Sequence, residues 1–201
     1  NENEIYKYTF DIVKKIIEKD IPSIKTFNTS TNFTISRIIT YLAMQKPGGT
    51  SNIKLAESLS VSPKTVNDIL NTLEKTQLIF SIKPYGTGGK VIKKPWEYFF
   101  LAPSLKSAIN FDIGRYEIRS RKCLATLAET MVISSLFKIK NTSKSSLGLF
   151  YDSEKKGVDF LIKHYDKIIP IEVGIGKKTK SQIKRSINRY GCEYGILISN
   201  R

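Results

Sequence analysis

The chain has 201 residues, of which 40% are hydrophobic and 25% charged, and this composition predicts a folded protein with one sizeable core or two small ones. Its formal net charge is +15 at pH 7, and the basic surplus is concentrated in the C-terminal half. Such a charge favours a polyanionic partner, although a lysine-rich composition also arises without one. Cys123 and Cys192 stand alone, which excludes a disulfide framework or a zinc site and favours the cytoplasm. No apolar run is long enough for a membrane span.

The N-terminal segment shows helical periodicity. Its apolar residues predict an amphipathic helix over residues 4–20 that stops near Ile21-Pro22, with Ile5, Tyr8, Ile12, Ile16 and Ile17 on one face. Because the chain starts without methionine and enters this pattern at once, we expect residues 1–30 to be a helical linker from a preceding domain. Further helices are predicted over residues 34–44 and 51–59.

The next segment carries the strongest local signal. Ser62 is suited to cap a helix and Pro63 to occupy its first turn, which predicts a helix over residues 64–77. Strands over residues 78–85 and 91–101 follow, joined by the glycine-rich turn 86–89. Three helices and a hairpin in this order predict a winged helix-turn-helix over residues 31–105. The alternating aromatic residues Trp96, Tyr98 and Phe99 are predicted to belong to its core.

A winged helix suggests where DNA would bind. The N-terminal end of the second helix of such a module enters the major groove, and the hairpin follows the phosphate backbone. We therefore expect DNA contacts from the helix start and from the hairpin lysines, namely Ser62, Lys64, Thr65, Asn67, Lys83, Lys90, Lys93 and Lys94. The alternative is a protein-interaction module, because many winged helices bind proteins.

The second half predicts an αβββαβ order over residues 106–201, which makes the fold class mixed α/β. The helices are expected at residues 122–139 and 178–190, and the strands at 147–151, 158–162, 168–173 and 194–198. No internal repeat is present.

Three acidic residues stand out in this half: Glu129 on the helix, and Asp159 and Glu172 on successive strands. Metal-dependent phosphodiester cleavage needs converging carboxylates that hold Mg²⁺ and a lysine near the attacking water. Restriction-endonuclease-like folds supply these groups as a strand acid followed by Glu-x-Lys. Here Gly174 occupies the lysine position, so we expect a degenerate site, in which Asp159 and Glu172 are the metal-ligand candidates. Lys177 or Lys178 could replace the lost lysine.

Together these segments resemble a known family. The chain is similar to the C-terminal part of archaeal and bacterial AAA-family ATPases that join a P-loop domain to a winged helix and a PD-(D/E)XK-like domain. The resemblance is carried by six short segments, at residues 17–21, 55–57, 61–66, 127–132, 157–162 and 169–173. It implies that ATP binds in a preceding domain and that this part of the protein carries no cofactor except Mg²⁺ at the acidic site.

Three hypotheses follow. The first is a non-enzymatic DNA-binding module of an AAA-type ATPase. The second is a metal-dependent DNA endonuclease with a relocated lysine, and the third is a protein-interaction or oligomerisation module of the ATPase. A single histidine, His164, excludes His-based triads and two-His metal sites. The DNA target and the oligomeric state stay open.

Overall fold

The structure is a computed structural model that describes residues 1–45, 51–116, 120–143, 146–176 and 179–200, and for Lys90 the backbone alone. It has a mixed α/β fold, as the sequence predicts. The helices are α1 Glu2–Lys15, α2 Ile21–Ile24, α3 Thr29–Met44, α4 Asn52–Leu59, α5 Pro63–Lys75, α6 Gly89–Ile92, α7 Pro103–Asp112, α8 Arg121–Thr142 and α9 Ser181–Tyr190. Across these described segments, no helix combines the length and the apolar content that a bilayer crossing requires.

Six described strands form one sheet in the order β2-β1-β3-β4-β5-β6. They are β1 Ile79–Pro84, β2 Glu97–Phe100, β3 Leu147–Tyr151, β4 Phe160–His164, β5 Lys167–Ile175 and β6 Ile196–Asn200. The hairpin β1–β2 is antiparallel, and the end of β1 pairs in parallel with β3 through Lys83–Phe150 and Pro84–Tyr151. The hairpin of the N-terminal half therefore extends the sheet of the C-terminal half.

The two faces of this hairpin pack into two different cores. Ile79 pairs with Phe100, and both are buried among α3, α4 and α5. The next pair along the ladder, Phe80 with Phe99, is buried against α8, β4 and β5. Successive residues of a strand point to opposite faces, so one hairpin supplies apolar side chains to both cores.

Helix α7 lies in a stretch for which the sequence predicts no regular structure. Pro103 occupies its first turn, where a missing N–H is tolerated. Lys106 donates to the carbonyl of Gln45 at 2.6 Å, and Asn110 donates to that of Ala43 at 2.9 Å. The helix therefore satisfies carbonyl groups at the C-terminal end of α3, which would otherwise be left without donors.

The N-terminal helix differs from its prediction. The chain does not stop at Ile21-Pro22; a π-helical turn over Ile16–Asp20 leads into α2, because Ile21 donates its N–H to the carbonyl of Ile16. Helix α1 packs on α7 through Tyr6, whose ring stacks on Phe111 with centroids 4.9 Å apart. Of the predicted apolar face, Ile5, Tyr8 and Ile12 are exposed at 62%, 71% and 52%, whereas Ile16 and Ile17 are partly buried against the helical core.

The hairpin also departs from its prediction. The second strand is only four residues long, and Gly89–Ile92 forms a short helix in place of its first part. Trp96 is 39% exposed and Tyr98 is half-buried, whereas Phe99 is buried. The prediction that all three rings belong to the core is therefore wrong for Trp96, because the strand begins only at Glu97 and Trp96 lies at its open end.

Because both cores share the hairpin, we expect the chain to unfold in one cooperative transition. Ile79→Ala and Phe80→Ala truncate opposite faces, and each should lower the free energy of unfolding by about 2–5 kcal/mol. Within each protein, wild type or variant, fluorescence of the single tryptophan and far-UV circular dichroism should then give coincident denaturant midpoints, and the midpoints of the variants should be lower than that of the wild type. Two separated transitions, each sensitive to only one substitution, would contradict this coupling.

Candidate nucleic-acid interface and acidic cluster

The start of α5 is held by its cap. Ser62 Oγ accepts the backbone N–H of Thr65 at 3.0 Å, and the two hydroxyl groups lie 2.9 Å apart. Pro63 follows the cap at the first helical position, as the sequence predicts. Two of the predicted DNA contacts, Ser62 and Thr65, thus use their hydroxyls to close the helix terminus, and the neighbouring Lys64 is exposed.

Helix α5 presents a polar face in which two asparagines lie between two lysines. Lys64, Asn67, Asn71 and Lys75 recur at helical spacing and are all exposed. Asn67 Oδ1 accepts the side-chain amide of Asn52 on α4 at 2.6 Å, which ties this face to the preceding helix. Such amides and ammonium groups are the side chains that pair with base edges and phosphates.

A cleft of about 790 Å³ separates this face from the hairpin. On one side it is lined by Asn52, Lys54, Asn67 and Asn71 of α4 and α5, and on the other side by Lys93, Trp96 and Tyr98. Among the lining residues in the described part of the chain, none is Asp or Glu. The cleft therefore combines amide groups, ammonium groups and an accessible indole ring.

The hairpin lysines fall into different environments. Lys93 is exposed and lines the cleft, while the Lys83 ammonium lies 4.6 Å from the centroid of the Trp96 ring. Lys94 donates to Ser153 Oγ at 2.7 Å and forms an ion pair with Glu154 at 3.5 Å. Lys94 therefore fastens the hairpin to the loop after β3. The side chain of Lys90 lies outside the described residues.

Asp159 lies directly before β4, and Glu172 lies in the neighbouring strand β5. Phe160 pairs with Ile171, and the same register continued by one residue sets Asp159 opposite Glu172. Asp159 Oδ2 accepts the backbone N–H of Val173 at 2.7 Å, and Glu172 is buried with 1% of its surface exposed. The fold therefore sets the two acidic positions opposite each other, although β4 begins at Phe160, two residues later than the predicted strand start, and Asp159 precedes it.

The carboxylates that interact most evidently include one that the sequence reasoning missed. Burial, together with the negative charges of Glu129 and Asp159, raises the pKa of Glu97 from 4.5 to about 8, and burial contributes most. Glu97 stands in β2, on the same face as Phe99 and toward α8. The sequence did contain a signal for this residue, because Glu97 is the one acidic residue within the aromatic run of residues 96–100.

Gly174 occupies the position where the Glu-x-Lys pattern places its lysine, and it is buried. Because glycine has no side chain, this position supplies no amine to the acidic residues. The two replacement candidates, Lys177 and Lys178, lie outside the described residues. Within the described ranges, no group of three or more His, Cys, Asp or Glu side chains is arranged to hold a metal ion. The predicted Mg²⁺ site at Asp159 and Glu172 therefore stays a prediction.

Asp152 is a second residue that the sequence reasoning missed. It follows β3 directly, and its buried carboxylate accepts the Tyr190 hydroxyl at 2.7 Å and the Ser186 hydroxyl at 3.2 Å, both from α9. It also accepts the backbone N–H of Val158 at 3.3 Å and pairs with Arg189 at 3.4 Å. These contacts tie the loop that ends at Asp159 to α9, so Asp152 is a positioning residue for the acidic strand.

Comparison with known families divides the chain in two. Residues 1–111 match the family described as "Domain of unknown function (DUF8612)", and residues 125–200 match "Domain of unknown function (DUF4143)". DUF4143 is a domain usually found in AAA-ATPase-associated proteins.

One relative aligns with the whole chain. "Uncharacterized protein MJ1637" of Methanocaldococcus jannaschii is 31% identical over 201 residues, which are 100% of this chain and 42% of that protein. The chain thus spans less than half the length of this relative.

Two solved structures of mutant Lactococcus lactis ZitR share 17% sequence identity with the chain. One covers 59% of this chain and 64% of ZitR with a TM-score of 0.30, and the other covers 71% and 84% with a TM-score of 0.31. Scores this low do not assign a common fold.

The raised pKa of Glu97 predicts a pH-dependent stability. The folded state binds this proton more tightly than the unfolded chain, so the stabilising contribution is complete below about pH 4.5 and is lost as the pH rises to about 8. Glu97→Gln should therefore be more stable than the wild type at pH 8 and show a shallower fall in melting temperature between these values. Glu57→Gln, an exposed change on α4, is the control. Parallel pH profiles for the wild type and Glu97→Gln would refute the assignment.

Gly157 should be intolerant of a side chain. A Cβ at this position would lie 2.4 Å from Asp152 Cγ, whose carboxylate is held by α9 and cannot move aside freely. Gly157→Ala should therefore lower the free energy of unfolding by about 1–3 kcal/mol. Gly89→Ala is the matched control, because a Cβ there meets nothing within 4 Å. Equal denaturant midpoints for these two variants would show that the Asp152 contacts yield easily.

Proposed function

The chain belongs, through residues 1–111, to the DUF8612 family, and we propose that it is a non-enzymatic DNA-binding module of an AAA-type ATPase. The observation that carries this proposal is the cleft between α5 and the hairpin, with its lining of lysines, amides and an indole ring. On a chain of net charge +15, such a lining suits a polyanion that also presents flat bases and hydrogen-bonding edges.

The order of elements supports a specific docking mode. Helices α3, α4 and α5 followed by the hairpin have the order of a winged helix, in which α5 would be the recognition helix. Its exposed face offers Asn67 and Asn71, whose side-chain amides suit adenine, and Lys64, which suits guanine or phosphate. Lys93 would follow the phosphate backbone from the hairpin side.

One feature of the C-terminal half supports the part of the proposal that the module does not cleave DNA. The elements α8, β3, β4, β5, α9 and β6 follow the order αβββαβ of a restriction-endonuclease-like domain. Gly174 stands where such a site needs its lysine, and loss of that cation removes the group that orients water and stabilises the transition state. We therefore assign this half a structural and DNA-holding role.

Coupling to an ATPase rests on the family context. DUF4143 is usually found in AAA-ATPase-associated proteins, and the archaeal relative is more than twice as long as this chain. The proposal is that an ATPase domain in the same protein moves or loads the DNA that this module holds. ATP would bind in that domain.

The proposal predicts strongly salt-dependent DNA binding. In fluorescence anisotropy with a labelled duplex, the dissociation constant should rise steeply between about 50 and about 200 mM salt, because phosphate contacts release counterions. The double variant Lys64→Ala/Lys93→Ala should bind several-fold more weakly, and its salt slope should fall by about two phosphate equivalents. Lys7→Ala/Lys15→Ala removes the same charge from exposed positions of α1 and should leave the slope nearly unchanged.

Four results would overturn it. Affinity that does not change with salt would exclude phosphate contacts, and equal losses in the cleft and α1 double variants would indicate unspecific charge attraction. Plasmid nicking with Mg²⁺ that is absent in Asp159→Ala would favour an endonuclease instead. A stable protein complex without measurable duplex affinity would favour the protein-interaction alternative.

A further inference from the structure

A second cavity, of about 390 Å³, lies where the end of α3, helix α7 and the start of α8 meet. Its lining includes the basic side chains Lys106, Arg115 and Lys122 and the hydroxyl of Ser120. In the portion of the chain that the structure describes, the lining contains no Asp or Glu. We infer that this cavity is a binding site for a small molecule that carries a phosphate group.

Lys106 provides a fixed and desolvated positive charge. Only 7% of its surface is exposed, and its ammonium group is held by the carbonyl of Gln45 at 2.6 Å and that of Leu42 at 3.5 Å. Burial lowers its pKa from 10.5 to about 8, although the charges of Cys123 and Glu129 oppose this shift. A buried cation gains more from an incoming anion than an exposed one, because water screens the interaction less.

Arg115 is brought to the same wall by the end of α7. The chain turns through Gly114, whose φ is +78°, and the backbone N–H of Arg115 then donates to the carbonyl of Asn110 at 2.9 Å. Burial raises the pKa of the Cys123 thiol, and the positive charges of Lys106 and Arg115 both oppose this increase. Lys106 in α7 and Arg115 just after α7 therefore both lie within electrostatic reach of Cys123 at the cavity wall.

The start of α8 carries charges of the unfavourable sign for a helix. Arg121 and Lys122 occupy its first turn, which holds no acidic residue, although the N-terminus of a helix already has a partial positive charge. Each misplaced cation costs about 0.3–1 kcal/mol of helix stability. Lys122 lines the cavity, and an anion bound there would offset both its charge and that of the helix terminus.

The size of the cavity exceeds that of a bare phosphate ion. A volume of about 390 Å³ falls in the range of small-molecule sites, which is about 300–1,000 Å³. Tyr116 stands at the lining with 68% of its surface exposed and offers a ring for contact with the remainder of the ligand. A phosphorylated metabolite of mononucleotide size fits these features. Among the residues that the structure describes, the cavity and the cleft proposed for DNA share no lining residue.

Isothermal titration calorimetry tests the site with AMP, ribose 5-phosphate and adenosine as probes on the 201-residue chain. We expect AMP to bind, ribose 5-phosphate to bind more weakly, and adenosine not to bind. Arg115→Gln/Lys122→Gln changes two exposed side chains and should weaken AMP binding at least about tenfold, the equivalent of one lost charge-assisted hydrogen bond. Lys138→Gln/Lys140→Gln, at the opposite end of α8, removes the same charge and should keep the wild-type affinity.

The inference fails if neither phosphate-bearing probe binds, if adenosine binds as well as AMP, or if the cavity double variant keeps wild-type affinity while its circular dichroism spectrum is unchanged. It is independent of the proposed DNA binding. Lys64→Ala/Lys93→Ala should bind AMP normally, so that loss of duplex affinity and loss of AMP affinity are separate outcomes.

Discussion

The alternation of side chains along the hairpin β1–β2 is the constraint on which the architecture depends. The pair Ile79–Phe100 faces the helical core, and the pair Phe80–Phe99 faces the core under α8. A shift of one residue in this register would exchange the two sets of side chains and disrupt both cores at once. The hairpin thereby fixes α5 relative to the C-terminal sheet, and with it the geometry of the cleft.

The same alternation separates charges of opposite sign. Trp96 and Tyr98 line the cleft, whereas Glu97 between them faces α8 and lies within electrostatic reach of Glu129 and Asp159. A cleft proposed for a polyanion must keep carboxylates away, since like charges repel strongly where water is scarce. Glu97, Glu129 and Asp159 interact on one side of the hairpin, and the lysines and amides that line the cleft lie on the other. Protonation of Glu97 further reduces the repulsion within the acidic group.

Some features were accessible from local signals. The cap formed by Ser62 and Pro63 and the αβββαβ order of the second half depend on short-range spacing, and both appear in the structure. The pairing of β4, which Asp159 directly precedes, with β5, which carries Glu172, was also foreseeable, because consecutive strands usually lie side by side. Helix α7 escaped detection, because its buried polar residues Lys106 and Asn110 do not follow an apolar period.

The sequence by itself determined the mixed α/β class, the capped α5 helix, the basic charge and the absence of the Glu-x-Lys lysine at Gly174. Only the tertiary structure decided that Lys94 holds a loop and that Glu97 joins the acids. It alone also showed that the basic side chains of α7 and α8 surround a cavity. The physical reason is that capping and periodicity act within one or two helical turns. The partners of a polar side chain, in contrast, come from elements far apart in the chain, and their identity depends on packing.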